Sequence, residues 1–311
     1  MKLVSIIIPT YNNFNSVFIT LDSIFIQNYE NIEIIISDDG SIEYFEYKEK
    51  LINYIENNKK ENIKNYIIDH MPNNLGTVKN INNGIKLSKG EYIKLIGPAD
   101  YFLENNSISI FVEFIESNNF LICFSKLVGI TDKEKKIYKL ESYNDDYIKM
   151  QKQSPNGILK YLYKRNCLPA PGGFFKKQIF DQYGYFIEEY RLIEDYPYWL
   201  HLANNNVKFG FLNEYLIGYK LNNSGAGVYN IQFLNDLTYI YKQRVFPQDK
   251  RFFIFQPIVN YLKLCGLNYY KEKSLFNQKN NIQKVLVIIK YFPFHLLVNY
   301  NKMRFIIKNK L

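Results

Sequence analysis

Short β-branched runs alternate with amphipathic stretches along the first hundred residues. Residues 3–9 (LVSIIIP) form a nearly continuous apolar run closed by Thr10-Tyr11-Asn12-Asn13, the pattern of a strand buried on both faces and followed by a loop. From Ser16 to Gln27, Val17, Leu21, Ile24 and Phe25 recur at helical spacing, with Ser16 as the expected N-cap. Ile32 to Ser37 is a second buried strand, stopped by Asp38-Asp39-Gly40-Ser41. Strand, loop, helix, strand and acidic turn make a βαβ unit. A helix over 43–57, a strand over 66–69 and a helix over 77–88 follow, the last with Gly90 at the left-handed position beyond its end. Tyr92 to Ile96 then runs as a strand into Gly97-Pro98-Ala99-Asp100. Several parallel strands therefore end in loops on one edge, and in an open α/β sheet that carboxyl edge binds ligands.

Farther along, the spacing predicts a helix over 107–117 and extended chain over 120–129. Residues 131–156 are polar without a clear period, which suggests a loop over the site. Pro169-Ala170-Pro171-Gly172-Gly173 is turn chemistry beside a Phe174-Phe175 strand, and 194–205 reads as a helix with Trp199, Leu200 and Leu202 apolar. No internal repeat is present. Beyond Asn230 the chain turns aromatic and basic. Residues 282–308 mix Ile, Leu, Val and Phe with Lys284, Lys290, His295, Lys302, Arg304 and Lys308, the pattern of a membrane-surface helix pair broken at Pro293.

Composition narrows the function classes. At 311 residues and 47% hydrophobic, the chain supports a sizeable core. Its three cysteines lack CxxC spacing and its three histidines are scattered, which leaves little material for zinc, redox or Ser-His-Asp chemistry. Lys2 precedes an apolar run, but Pro9 ends it too early for a signal core. No run of ~18 apolar residues occurs elsewhere, so no spanning helix and a cytoplasmic chain are expected. The net charge of +9 and pI of about 9.1 suggest a polyanionic partner: nucleic acid, anionic lipid or a phosphorylated substrate. No RNP-like or zinc-finger spacing supports nucleic acid, and none is expected as a partner.

Acidic residues lie at three places where chemistry could occur. Asp38 and Asp39, at a strand end, can accept charge-assisted hydrogen bonds from a base N–H or a ribose hydroxyl; an Asp-Gly turn capping the next helix explains them equally well. Asp100 follows a strand on the same edge and could ligate Mg²⁺ or Mn²⁺ bridging a pyrophosphate, or cap a helix. Glu194-Asp195 opens a helix, where carboxylates favour the positive end of the dipole. A carboxylate there could also deprotonate an acceptor hydroxyl.

In order and spacing these pieces resemble a known family. Val4-Ser5-Ile6-Ile7-Ile8-Pro9-Thr10-Tyr11-Asn12 and Ile36-Ser37-Asp38-Asp39-Gly40-Ser41 resemble the opening of family 2 glycosyltransferases with the GT-A fold. Asn74-Leu75-Gly76, Asn82, Gly84 and Lys89-Gly90-Glu91-Tyr92-Ile93 continue the likeness, and Glu194-Asp195-Tyr196-Pro197-Tyr198-Trp199-Leu200 looks like the family's acidic motif near the acceptor. It covers about residues 3–205. The resemblance implies an α/β GT-A fold, a Rossmann-like, mostly parallel sheet flanked by helices with a helical C-terminal extension. It divides the chain into a nucleotide-sugar half (1–105), an acceptor half (106–230) and a membrane-associating extension (231–311).

The implied roles follow position by position. Pro9, Thr10 and Tyr11 would line the base, Asp38 would hydrogen-bond it, and Asp39 would lie beside the nucleotide, with Asn82, Gly97, Pro98, Ala99 and Asp100 completing that site. Asp100 would hold Mn²⁺ or Mg²⁺. Asp195 would be the base for single displacement with inversion, with Glu194 and Trp199 on the acceptor side and the Trp199 face stacked on the acceptor sugar. The expected partners are a UDP-sugar donor, a polyprenyl-linked or surface-glycan acceptor and the anionic inner leaflet, where the chain would be peripheral. Two departures stand out: Gly97-Pro98-Ala99 replaces the family's usual acidic residues, and His201 stands where Arg is frequent. The first leaves a single protein carboxylate for a metal, with Lys and Arg as the alternative holders of the phosphates. A catalytically silent nucleotide-sugar-binding partner subunit is the alternative reading.

Overall fold

In a computed structural model, residues 1–130, 137–139, 149–221, 230–248, 256–275 and 279–292 are described. The chain separates into two compact units, Met1–Ser224 and Gly225–Leu311.

The first unit is built on one nine-stranded sheet. Its strands are β1 (Val4–Thr10), β2 (Ile32–Asp38), β3 (Ile63–His70), β4 (Tyr92–Leu95), β5 (Tyr101–Phe102), β6 (Ile122–Ile130), β7 (Ile137–Lys139), β8 (Gly173–Lys176) and β9 (Phe209–Lys220). The order is β3-β2-β1-β4-β8-β6-β9-β5, with β7 on β6. The four strands β3-β2-β1-β4 are parallel, in the arrangement expected of the nucleotide half. Past β4 the sheet is mixed: β8 runs antiparallel to both neighbours, while β9 is parallel to β6.

Helices α1 (Val17–Phe25), α2 (Tyr44–Asn58), α3 (Thr77–Leu87), α4 (Ser107–Ser117), α5 (Pro155–Leu162), α6 (Gln178–Tyr183) and α7 (Asp195–Asn204) belong to the same unit. Side chains alternate across a strand, so Ile6, Ile8, Ile34 and Ile36 join one core with Val17, Leu21, Ile24, Leu51, Ile55 and Phe111. Ile7 and Ile35, on the opposite face, are also fully buried. The near-continuous apolar runs of β1 and β2 follow from this two-sided cover.

Several local expectations change. Ser16 makes no side-chain cap; it ends a 3₁₀ turn (Phe14–Ser16), and its carbonyl accepts the Ala99 N–H at 3.0 Å. Gly90 has no positive φ. It is required because a Cβ there would lie 2.7 Å from the Ser5 backbone nitrogen. Within the expected 131–156 loop, 137–139 form β7 against β6, and α5 begins at Pro155, capped by Ser154 Oγ accepting the Gly157 N–H. Residues 131–136 and 140–148 of that loop lie outside the described residues.

The second unit holds α8 (Ile231–Ile240), α9 (Gln256–Ser274) and α10 (Asn281–Lys290). A capping box between Asn280 and Gln283 starts α10. Val287 and Tyr291 pack on Tyr269 of α9, and Glu272 accepts from Lys290 and Tyr291. The expected second helix beyond Pro293 lies outside the described residues.

Candidate active site

Parallel register places Thr10, Asp38 and His70 side by side at the carboxyl ends of β1, β2 and β3. Asp38 is fully buried. Its Oδ1 accepts from the Thr10 hydroxyl at 3.3 Å and from the Ser41 hydroxyl, and its Oδ2 accepts the Ser41 N–H at 2.9 Å and meets His70 Nδ1 at 2.7 Å. A carboxylate has about four lone-pair sites, and these partners fill them. The expected direct bond from Asp38 to a base is therefore corrected: Asp38 organises the strand ends from inside.

Asp39 differs. Its Oδ1 accepts the Leu75 N–H at 2.7 Å and its Oδ2 the Gly76 N–H at 2.8 Å, so each oxygen keeps a lone pair. Burial raises its pKa, against the pull of those two N–H groups and of Arg191, with Asp38 adding to the rise. Two glycines with positive φ make this loop contact possible. A Cβ on Gly40 would lie 2.6 Å from the Asn73 carbonyl carbon, and one on Gly76 would lie 2.6 Å from the Arg191 carbonyl oxygen. Arg191 in turn donates to the Asn74 carbonyl at 2.9 Å and to the Asn74 side chain. Tyr11 is 46% exposed beside this edge, whereas Thr10 is buried and Pro9 partly so.

The turn after β4 does not offer what was expected of it. Asp100 is 5% exposed; its carboxylate accepts the Lys220 N–H at 2.8 Å. Burial pushes its pKa up to about 7, opposed by that N–H, by Lys94 and by the nearby Gly97 backbone. Ala99 adopts φ +72° and is buried, its N–H shared between Ser16 O and Thr20 Oγ1. Gly97, Pro98 and Ala99 carry no donor atoms on their side chains, and no group of three His, Cys, Asp or Glu that could hold a metal occurs among the described residues. Magnesium is held by one or two carboxylates together with substrate phosphates; this turn offers a single carboxylate, and in this structure Asp100 serves as a buried clasp between the turn and β9.

Asn82 is likewise corrected. Its amide is spent inside the fold, donating to Phe186 O at 2.9 Å and Glu188 Oε1 at 3.0 Å and accepting the Phe186 N–H. With no exposed surface it ties α3 to the segment before α7 rather than touching a nucleotide.

Glu194 and Asp195 lie at the start of α7, where both keep partial solvent contact. Asp195 Oδ2 accepts from Asn166 Nδ2 at 2.8 Å, and its Oδ1 accepts the Tyr196 N–H at 2.6 Å. Burial nevertheless raises the Asp195 pKa, and burial followed by the Asp195 charge raises that of Glu194. Trp199, one face of the expected acceptor platform, is fully buried instead. It packs against Phe124 and Phe175 at 5.1 and 6.0 Å and donates Nε1–H to Leu168 O at 2.7 Å. An indole enclosed in this way cannot stack on a sugar, and Trp199 is core.

Asn166, His70 and Arg191 were missed by sequence reasoning. Only His70 left a sequence signal, as a lone histidine closing the strand beside an acidic strand end.

The glycosyl transferase family 2 model matches residues 5–184, which is more than half of the 311 residues. The chain belongs to glycosyl transferase family 2. A Rickettsia bellii uncharacterized glycosyltransferase is 30% identical over 211 residues, 68% of this chain and 28% of that relative. The Escherichia coli UDP-Glc:alpha-D-GlcNAc-diphosphoundecaprenol beta-1,3-glucosyltransferase WfaP is 34% identical over 125 residues, 40% of this chain and 46% of WfaP. This family 2 chain spans 28%, 45% and 21% of the lengths of three rickettsial relatives. Among solved structures, S. aureus TarS 1–349 in complex with UDP-GlcNAc aligns with a TM-score of 0.60 at 16% identity, over 93% of this chain and 79% of that one. The mannosyltransferase PcManGT from Pyrobaculum calidifontis, in complex with GDP-Man and Mn2+, aligns with a TM-score of 0.57 at 12% identity, over 97% and 83%. The fold is thus the GT-A fold.

Proposed function

We propose that this chain is an inverting glycosyltransferase that moves a sugar from a UDP-sugar to a hydroxyl of a lipid-linked or surface glycan. The observation that carries the reading is Asp195: a carboxylate held by Asn166 and Tyr196, raised in pKa and partly exposed at a helix start. A base of that kind takes the acceptor proton as the acceptor oxygen bonds to the anomeric carbon. The bond from that carbon to the phosphate oxygen breaks, and the nucleoside diphosphate leaves with the electron pair. One displacement inverts the anomeric centre.

On the donor side, Asp39, 3% exposed with one N–H on each oxygen, would accept from the nucleotide through its remaining lone pairs, and Tyr11 offers an exposed ring to the base. The names of TarS in its UDP-GlcNAc complex and of WfaP support a UDP-sugar, and WfaP supports an undecaprenol-linked acceptor. No step is routed through a metal; the Gly97–Asp100 turn offers one carboxylate, which here holds the Lys220 N–H. The phosphates are left to lysine and arginine side chains.

Association with an anionic membrane surface belongs to the same reading. No helix among the described residues is long and apolar enough to cross a membrane. α10 instead leaves Ile282, Val285, Leu286 and Ile289 exposed, followed by Phe292, with Lys284 and Lys290 among them.

The test is incubation of the full chain with UDP-glucose, UDP-GlcNAc, GDP-mannose and a dTDP-sugar, each with a synthetic polyprenyl-diphosphate-linked sugar acceptor. Mass spectrometry reads the product and NMR its anomeric configuration. A new linkage with configuration inverted relative to the donor is expected from a UDP-sugar. Retention of configuration would overturn the mechanism, and UDP-sugar binding without transfer to any acceptor would favour the catalytically silent partner.

A further inference from the structure

The start of α7 grips one short segment of chain at three points. Asp195 Oδ2 accepts from Asn166 Nδ2 at 2.8 Å, the Tyr196 hydroxyl donates to Leu162 O, and the Trp199 indole N–H donates to Leu168 O at 2.7 Å. Asp195 and Trp199 are four residues apart in one helix, so their side chains lie one turn apart on the same face. Their partners, Asn166 and Leu168, are two residues apart in the segment that leaves α5.

That segment carries its own lock. Asn166 Oδ1 accepts the Leu168 N–H at 3.4 Å, an Asx turn that leaves the NH₂ end of the amide for Asp195. From so short a side chain, only asparagine gives an acceptor to the turn and a donor to the carboxylate. Aspartate would add a second negative charge there, and alanine would supply neither group. Leu168 is buried and its carbonyl is held by Trp199, whose ring is fixed in turn by Phe124 and Phe175. Asp195, Asn166, Leu168, Trp199 and one turn of α7 therefore close a ring of contacts. Resting on the reading of Asp195 as the base, we propose that Asn166 is its positioning residue, and that the Trp199 indole N–H acts on the same carboxylate through Leu168 and Asn166. Trp199, closed to a sugar, thus serves the reaction from inside the core. Burial raises the Asp195 pKa and the Asn166 bond lowers it. The charged group facing Asp195 is Glu194, beside it at the helix start.

The experiment titrates Asp195 in the full chain and does not depend on turnover. The chain is labelled with ¹³C-aspartate, its carboxyl resonances are followed with pH, and Asp195→Asn assigns the signal. Asn166→Ala removes the donor and should raise the Asp195 pKa by about one pH unit, the scale of one lost hydrogen bond to a charged group. Trp199→Phe keeps an aromatic ring against Phe124 and Phe175 but removes the N–H, and should move the same signal in the same direction. The Asn166→Ala/Trp199→Phe double variant should titrate as Asn166→Ala does, because Trp199 reaches the carboxylate only through Asn166.

An unmoved Asp195 signal in Asn166→Ala would overturn the proposal. So would shifts that add in the double variant, or a Trp199→Phe chain with lowered Tm and native Asp195 titration, in which Trp199 only supports the core. If Trp199→Phe does not fold, replacing this single tryptophan by benzothienylalanine, with sulfur in place of the N–H, decides the question. Failure of the base reading is seen separately, as sugar transfer that survives Asp195→Asn.

Discussion

Asp100 accepts a hydrogen bond of 2.8 Å from the Lys220 N–H, which ties the turn after β4 to the end of β9. The contact commits the one carboxylate of Gly97–Asp100 to the interior. Stabilisation of the full chain by UDP, read as a shift in Tm, is therefore expected to be equal in EDTA and in Mn²⁺. Asp100→Asn should leave that equality intact and change stability instead. The folded pKa of about 7 lies above the ordinary 3.8. The contribution of the protonated form is thus complete below about pH 4 and lost as pH rises through about 7. Asn has no such loss, so the variant should gain on the native chain between pH 5 and 8. A Mn²⁺-dependent shift that Asp100→Asn removes would return Asp100 to the metal.

Asp195 makes the pH dependence of transfer a direct readout. Its pKa is raised by burial, and a base acts only when ionised. Transfer should fall as pH drops through a value above the ordinary carboxylate pKa of about 3.9. Asp195→Asn should cost roughly 10²–10⁴-fold in kcat and leave UDP binding, measured by calorimetry, unchanged. Full turnover in that variant would remove Asp195 from the reaction.

Asp38 and Asp39 are adjacent in sequence and opposite in task, so their amide variants should separate. Asp39→Asn leaves the Leu75 or Gly76 N–H facing an NH₂ group and removes the charge offered to a base. UDP binding should weaken about tenfold or more, given about 1.5–3 kcal/mol for a hydrogen bond to a charged group. Asp38→Asn places an NH₂ among four filled positions, one of them His70. It should show chiefly as lost stability in urea, about 1–3 kcal/mol for an unmet buried partner. A UDP Kd more sensitive to Asp38 than to Asp39 would reverse the assignment.

The contrast between these neighbours shows where sequence reading succeeds. β1, β2, β4 and α1–α4 were legible because their apolar spacing is local and strong, and the parallel order followed from the βαβ unit. The acidic positions were legible as positions, because strand ends on one edge can be counted off the chain. Their tasks were not. Whether Asp38, Asp100, Asn82 or Trp199 faces solvent depends on partners far away in sequence: His70, Lys220, Phe186 and Leu168. A polar residue at a strand end reads the same whether it faces a ligand or closes the fold behind it. Lys94 passed unnoticed because its partners are backbone carbonyls nearly eighty residues on, which leave no trace in side-chain pattern.

The apolar face of α10 gives the membrane reading its own test. Leu286 and Ile289 are 58% and 62% exposed, while Val287 between them is buried against α9. Replacing both exposed residues by serine should therefore leave Tm within a few degrees. Burying a leucine or isoleucine side chain is worth about 1.5–3 kcal/mol. The Leu286→Ser/Ile289→Ser chain should thus partition at least about tenfold more weakly onto vesicles of mixed neutral and anionic phospholipid in a sedimentation assay. Ile42, 88% exposed in the other unit, is the control: Ile42→Ser should sediment with vesicles as the native chain does. If the double variant also sediments like the native chain, the exposed face of α10 does not hold the protein at the membrane.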